Sequence, residues 1–215
     1  MKIAFLLFDD LTALDVIGPY EVLARLPGAE ARFLSPDGKP VKTDDGLLGL
    51  TPAGSIRDAP ELDVLVVPGG WGTRALALSD EHAALRQWVR HIAEGAQVVA
   101  SVCTGSFVLG AAGLLEGKRA TTHWNWLEGL RKWGAEPVKE RVVDEGSVVT
   151  AAGVSAGIDM ALTLAARLTA PMVAQAIQLG IEYDPAPPFD AGSPDKAPPE
   201  VRSLLEARYQ GVEVG

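Results

Sequence analysis

The chain has 215 residues, 47% of them hydrophobic and 22% charged, enough apolar side chain for one α/β domain to build its core without disulfide or metal staples. Nineteen Lys and Arg stand against 28 Asp and Glu, and a net charge of -9 with no basic run argues against a nucleic-acid partner. No stretch reaches the roughly 18 uninterrupted apolar residues of a membrane span, and the opening apolar run 3–8 is too short for a secretory signal and meets Asp9 and Asp10 at once, so a cytoplasmic protein with no membrane partner is expected.

Along the chain, short apolar runs rich in β-branched residues alternate with segments at helical spacing, the pattern of a mostly parallel sheet sandwiched by helices. A first strand over 2–8 is followed by a helix over 19–26, where Pro19 suits a first helical position, and by a strand over 31–35. Residues 37–54, with Gly38-Lys39-Pro40 and Gly46, read as a hairpin excursion. The next strand, 62–67, leads to a helix over 81–94 with Ser79 or Asp80 as its cap; strand 97–102 leads to a helix over 104–112. A short run 119–122 precedes a helix over 124–133, then come strand 147–150 and helices over 156–168 and 171–183. Six of the fifteen prolines fall within 184–199, which predicts an extended surface arm before a last short helix over about 199–209. The whole of 1–215 reads as a single domain.

In open parallel sheets the ligand site lies beyond the carboxyl ends of the strands, where loops and helix N-termini gather. Four loops meet that condition: Leu14-Asp15-Val16, Pro68-Gly69-Gly70-Trp71-Gly72, Cys103-Thr104-Gly105 and Thr122-His123. Cys103 is the only cysteine, so it has no internal disulfide partner, and with His82, His91 and His123 as the only imidazoles no structural metal is expected. The passage from strand to helix through Val102-Cys103-Thr104-Gly105-Ser106 presents the side chain as a nucleophile elbow does. Amide hydrogens at the helix start would favour a thiolate and lower the thiol pKa. A buried structural cysteine is the plain alternative, and the strand–Cys–small–helix setting weighs against it.

Asp15 lies in an apolar context where an unpartnered carboxylate is costly, so it needs a partner or a proton; a neutral acid beside the thiol and a helix N-cap are equally open readings. Glu21 is a weaker substitute. The amides of Gly69 and Gly70, with that of Thr104, can form an oxyanion hole, or the glycines can simply serve a turn. His123 can complete a Cys–His pair or stand as a structural imidazole, and spacing leaves both open. No phosphate-loop or dinucleotide fingerprint is present.

These residues, together with Ala111-Ala112-Gly113-Leu114-Leu115 and Ala156-Gly157-Ile158-Asp159, resemble the DJ-1/PfpI superfamily nearly end to end. Within it, Ser101 to Ser106, Lys118-Arg119-Ala120-Thr121-Thr122-His123-Trp124 and the run from Pro185 to Asp195 are most similar to isocyanide hydratases. The resemblance implies a flavodoxin-like fold and hydration of an isocyanide to an N-formamide through a thioimidate, with Cys103 as nucleophile, Asp15 as acid/base and Thr104 near the reacting centre. It also implies a small-molecule substrate contacted by Gly69, Gly70, Trp71 and His123, a homodimer, and no metal or organic cofactor. Thr104 stands where peptidase-like relatives carry His, and Asp15 where the DJ-1 branch carries Glu; Trp71 would reshape a pocket. Another small-molecule hydrolase or glyoxalase-like activity and a cysteine oxidative-stress sensor are the competing readings. A regulator's ligand-binding half, of the kind fused to helix-turn-helix modules, is disfavoured by the charge and by the chain ending at Gly215.

Overall fold

Continuous apolar runs suit strands covered on both faces, and the computed structural model, which describes residues 1–59 and 61–209, assembles such runs into one seven-stranded sheet. In chain order the strands are β1 (Lys2–Leu6), β2 (Glu30–Ser35), β3 (Val41–Lys42), β4 (Gly49–Leu50), β5 (Gly54–Ser55), β6 (Val64–Val67), β7 (Val98–Val102), β8 (Arg119–Ala120), β9 (Glu136–Pro137), β10 (Val142–Asp144) and β11 (Val148–Ala151). The main sheet runs β10-β11-β7-β6-β1-β2-β5, with every neighbour parallel except β10 against β11. The central strands β6, β7 and β11 are buried at every residue, which is why they read as unbroken hydrophobic runs. The excursion at 37–54 does hold an antiparallel hairpin, β3 with β4.

Among the described residues seven α-helices surround the sheet: α1 (Ala13–Leu23), α2 (Thr73–Leu78), α3 (Ala83–Gly95), α4 (Gly105–Ala111), α5 (Ala156–Leu168), α6 (Pro171–Gly180) and α7 (Pro199–Tyr209). Helices α1, α5 and α6 pack together on one side, and α2, α3 and α4 on the other. A single hydrophobic cluster extends from Ile3 to Ile177. No described helix is long and apolar enough to cross a membrane. The reading of 1–215 as one domain takes in Pro60 and residues 210–215, which lie outside the described residues.

Several boundaries differ from expectation. Helix α1 starts at Ala13, so Pro19 sits inside it rather than at its first position. The proline removes one helical hydrogen bond, and packing compensates, with its ring set against α5 at Gly157. Asp15 therefore lies in the first turn of α1 and is not its N-cap; that position is Thr12, whose Oγ1 instead donates to Asp44. Residues Trp124–Trp133 form a 3-10 run kinked at Trp126 rather than an α-helix, and the helix expected over 171–183 stops at Gly180. Ser79 accepts from the Glu81 amide but caps a 3-10 turn over Asp80–His82, and the helix expected from 81 begins at Ala83 without a side-chain cap. The stretch 184–198 contains no helix or strand, in keeping with an extended arm.

Candidate active site

The chain runs from β1 to β2 on one side of β1 and later fills in β6, β7 and β11 on the other, so the topological switch lies between β1 and β6. The loops leaving β1, β6, β7 and β11 deliver Asp15, Gly69, Cys103 and Val154 to that one end.

Cys103 has φ 54°, a left-handed conformation that costs a side-chain-bearing residue about 1–2 kcal/mol. Its backbone is held there from both sides. The Cys103 amide donates to Ala151 O and Ala152 O at 3.0 Å each, while Thr122 Oγ1 and Ser106 Oγ donate to its carbonyl at 2.8 and 3.1 Å. Gly105 completes the elbow, because a Cβ there would fall 2.2 Å from the Val67 carbonyl oxygen. The strained turn is thus over-determined by its surroundings, as at many reactive sites.

Asp15 is wholly buried. Its Oδ2 accepts from the Gly69 amide at 2.9 Å, and its Oδ1 has no hydrogen-bond partner among the described residues. A Cβ on Gly69 would sit 2.7 Å from each of Asp15 Oδ2, Cys103 Cβ and the Thr104 amide nitrogen. The carboxyl, the cysteine side chain and the first amide of the helix turn therefore converge on the space that glycine leaves open. Burial pushes the Asp15 carboxyl up to about 7, against the Gly69 amide and the Cys103 thiol, which favour its ionised form; the charge of Asp44 adds to the rise.

The thiol goes up as well. Burial is the larger cause and the Asp15 charge the next, and together they exceed the pull of the Thr104 and Val154 amides and the Thr104 side chain. This corrects the expectation of a thiolate set up by a helix start. Helix α4 is only seven residues long, and the sulfur is enclosed beside a carboxylate, so burial and the neighbouring charge favour the protonated thiol.

The oxyanion-hole reading needs a similar correction. The Gly69 amide is taken by Asp15, and the Gly70 amide donates to Thr104 Oγ1 at 3.0 Å. These glycines orient the acid and the threonine, and the amides facing the sulfur are those of Thr104 and Val154. Val154, at φ 32°, gave no sign of this in the sequence. His123 makes no hydrogen bond to Cys103 among the described residues; its Nδ1 accepts from the Asn125 amide at 3.3 Å, and burial lowers its pKa to about 4, leaving a neutral ring. Glu21 pairs with Arg25 on the surface, away from this site.

Above this floor opens a cavity of about 280 Å³ whose wall includes Cys103, Thr104, Gly70, Trp71 and His123. Asp15 is not among the lining residues and sits next to Cys103 around Gly69. The wall also contains Thr12, Asp44, Trp126, Val154 and Tyr209, which the four loops chosen from sequence did not include because they come from a helix cap, the hairpin, the 3-10 run, the loop after β11 and the last helix. A second cavity of about 520 Å³ shares His123 and Val154 and is bounded by Gly192 to Asp195 of the proline-rich arm. Among the described residues no cluster of three or more His, Cys, Asp or Glu side chains is placed to hold a metal ion.

A sequence profile of the DJ-1/PfpI family matches residues 1–167. The chain belongs to that family. Among curated relatives of this DJ-1/PfpI protein, the isonitrile hydratase of Pseudomonas putida is 51% identical over 212 residues, covering 99% of this chain and 90% of the relative. The HTH-type transcriptional regulator CdhR of Pseudomonas aeruginosa is 33% identical over 66% of this chain, which spans only 41% of that regulator. Among solved structures, a ThiJ/PfpI family protein from Pseudomonas syringae superposes with a TM-score of 0.92 at 38% identity, over 97% of this chain and 85% of that one. The Drosophila melanogaster DJ-1beta structure shares the fold with a TM-score of 0.72 at 22% identity, over 84% of this chain and 97% of its own.

Proposed function

We propose that this protein hydrates an isocyanide (isonitrile) to the corresponding N-formamide, using Cys103 as nucleophile and Asp15 as the group that moves protons. The observation that carries this reading is the convergence of Asp15, Cys103 and the Thr104 amide around Gly69, with a carboxyl whose pKa near 7 suits it to give and take a proton at neutral pH. The likeness to the Pseudomonas putida isonitrile hydratase over nearly the whole chain supports the same substrate class.

The proton inventory defines the steps. The Asp15 carboxylate accepts the thiol proton as sulfur attacks the terminal isocyanide carbon, so a free thiolate is never required, and the raised thiol pKa is no obstacle. The new carboxylic acid then protonates that carbon, giving a thioimidate, Cys–S–CH=N–R. Water adds to the same carbon; Asp15 takes a proton from the water and returns one to nitrogen. Collapse of the tetrahedral adduct expels the thiol and releases HC(=O)–NHR, so one isocyanide and one water become one formamide. Thr104 and Val154 steer the sulfur with their amides, and Thr104 Oγ1 is itself held by Gly70.

Purified protein mixed with phenyl isocyanide is expected to yield formanilide with multiple turnovers, followed by loss of the isocyanide infrared stretch; no formamide above the buffer rate would sink the reading. The buried thiol with its raised pKa weighs against the oxidative sensor, since rapid sulfur oxidation needs an accessible thiolate. A reduced thiol suits a cytoplasmic location. We further propose a homodimer, because Met172 and Leu179, both 79% exposed, lie two turns apart on α6 and form an uncovered apolar face. Light scattering after size exclusion should then return twice the 22.6 kDa chain mass, and a monomeric mass at micromolar concentration would reject it.

A further inference from the structure

The wall facing Cys103 contains an aromatic enclosure that the proton chemistry does not use. Trp71, from the loop after β6, meets Trp126 edge-on, with ring centroids 5.6 Å apart at 87°. Tyr209, at the end of α7, closes the figure at 5.0 Å from Trp126 and 6.0 Å from Trp71, and His123 joins at 5.0 Å from Trp126 and 5.9 Å from Tyr209. All four side chains line the same cavity as Cys103 and Thr104.

Helix α7 is held differently from the other helices that bring residues to the site. It buries none of its residues fully, Leu204 is 73% exposed, and it hangs on a stretch without helix or strand. An element that removes so little apolar surface from water opens at low cost. Aromatic pairs attract beyond the area they bury, and Tyr209 makes three of them, so its contacts help to keep α7 docked.

The isocyano group is linear. With its terminal carbon at the sulfur, the nitrogen substituent extends into the cavity that this enclosure lines. We infer that α7 acts as a lid, and that Tyr209, closing the ring of Trp71, Trp126 and His123, is a specificity-determining residue that favours a planar aryl substituent on the isocyanide over a flexible alkyl chain. The inference rests on the hydratase reading for the identity of the reacting group, while the enclosure itself is a feature of the fold. Arg74, Arg208 and Asp44 flank the same cavity, so a preference for charged substituents is the competing outcome.

The test compares phenyl isocyanide, n-pentyl isocyanide and isocyanoacetate on the full-length protein, on Tyr209→Phe and on Tyr209→Ala. Removal of the three aromatic contacts in Tyr209→Ala should lower kcat/KM for the phenyl compound by about tenfold, chiefly through KM, with a loss of less than about threefold for n-pentyl and near-parental values in Tyr209→Phe. Equal losses on both substrates, no loss on either, or a parental preference for isocyanoacetate would overturn the assignment. Binding of benzonitrile and pentanenitrile, linear and unreactive in a Cys103→Ala background, is measured in parallel by tryptophan fluorescence. If the parent turns over no isocyanide, the hydratase reading falls, and the lid is judged by whether Tyr209→Ala weakens benzonitrile about tenfold and pentanenitrile far less.

Discussion

Cys103→Ala is expected to abolish isocyanide turnover, by roughly 10³-fold or more, while leaving the thermal unfolding transition within a few degrees of the parent. The loss follows from chemistry: without sulfur no thioimidate forms, and the Asp15 carboxyl has nothing to deprotonate. Retention of the fold follows from geometry. The bonds that hold this turn run from the backbone of residue 103 to Ala151, Ala152, Thr122 and Ser106, and alanine keeps all of them, along with the φ of 54°. Intact mass spectrometry supplies the positive arm, since the parent quenched during turnover should carry an adduct of the isocyanide mass on Cys103. Turnover by the alanine variant at more than about a tenth of the parental rate would refute nucleophilic catalysis by this residue.

Asp15→Asn is expected to lower kcat/KM by at least about 10²-fold and to erase its pH dependence. In the parent the working form has the proton on sulfur and the carboxyl ionised, so kcat/KM should rise with pH through about 7. Stability should move the other way. Because the folded pKa of Asp15 is raised above its unfolded value of 3.8, the folded state binds the extra proton between about pH 4 and 7; its contribution is full below that window and lost as pH rises to about 7. At about 1.4 kcal/mol for each tenfold change in proton affinity, the effect is on the order of a few kcal/mol. His123 has the opposite sign: its pKa is lowered to about 4, so its contribution is lost as pH falls from 6.5 toward 4. Chemical denaturation from pH 4 to 8 should therefore show the two partly cancelling in the parent. In Asp15→Asn only the His123 rise remains, and the variant should be the more stable protein at pH 8. A variant less stable than the parent at pH 8, or one that keeps the parental pH–rate profile, would remove Asp15 from its proposed role.

Much of this architecture was legible from local pattern. The runs at β1, β6, β7 and β11 are apolar at consecutive positions because parallel strands are covered on both faces, and that signature survives without any tertiary knowledge. Short elements were not. Strand β10 has three residues, with a half-buried, buried, exposed pattern too brief to show a period, and α2 has six. Pro19 misled because proline marks a helix start in most contexts, whereas here its packing on α5 lets the helix run through it. The 3-10 run at Trp124–Trp133 carries helical spacing of apolar residues, and spacing alone does not distinguish the two helix types over so short a span.

For the site, residue types and loop positions were enough to nominate Asp15, Cys103, Thr104 and the glycine turn, since topology sends those loops to one sheet edge whatever the details. What the amino-acid order determined by itself was which chemical groups arrive at that edge. Their working states depend on distance and dielectric, which belong to the folded arrangement alone. Only the tertiary structure showed that the Gly69 and Gly70 amides are occupied, that Val154 faces the sulfur, and that enclosure beside a carboxylate raises the thiol pKa where a helix start alone would lower it. The same holds for Tyr209, more than a hundred residues from Cys103 in the chain, which reaches the cavity because the proline-rich arm carries the last helix back over it.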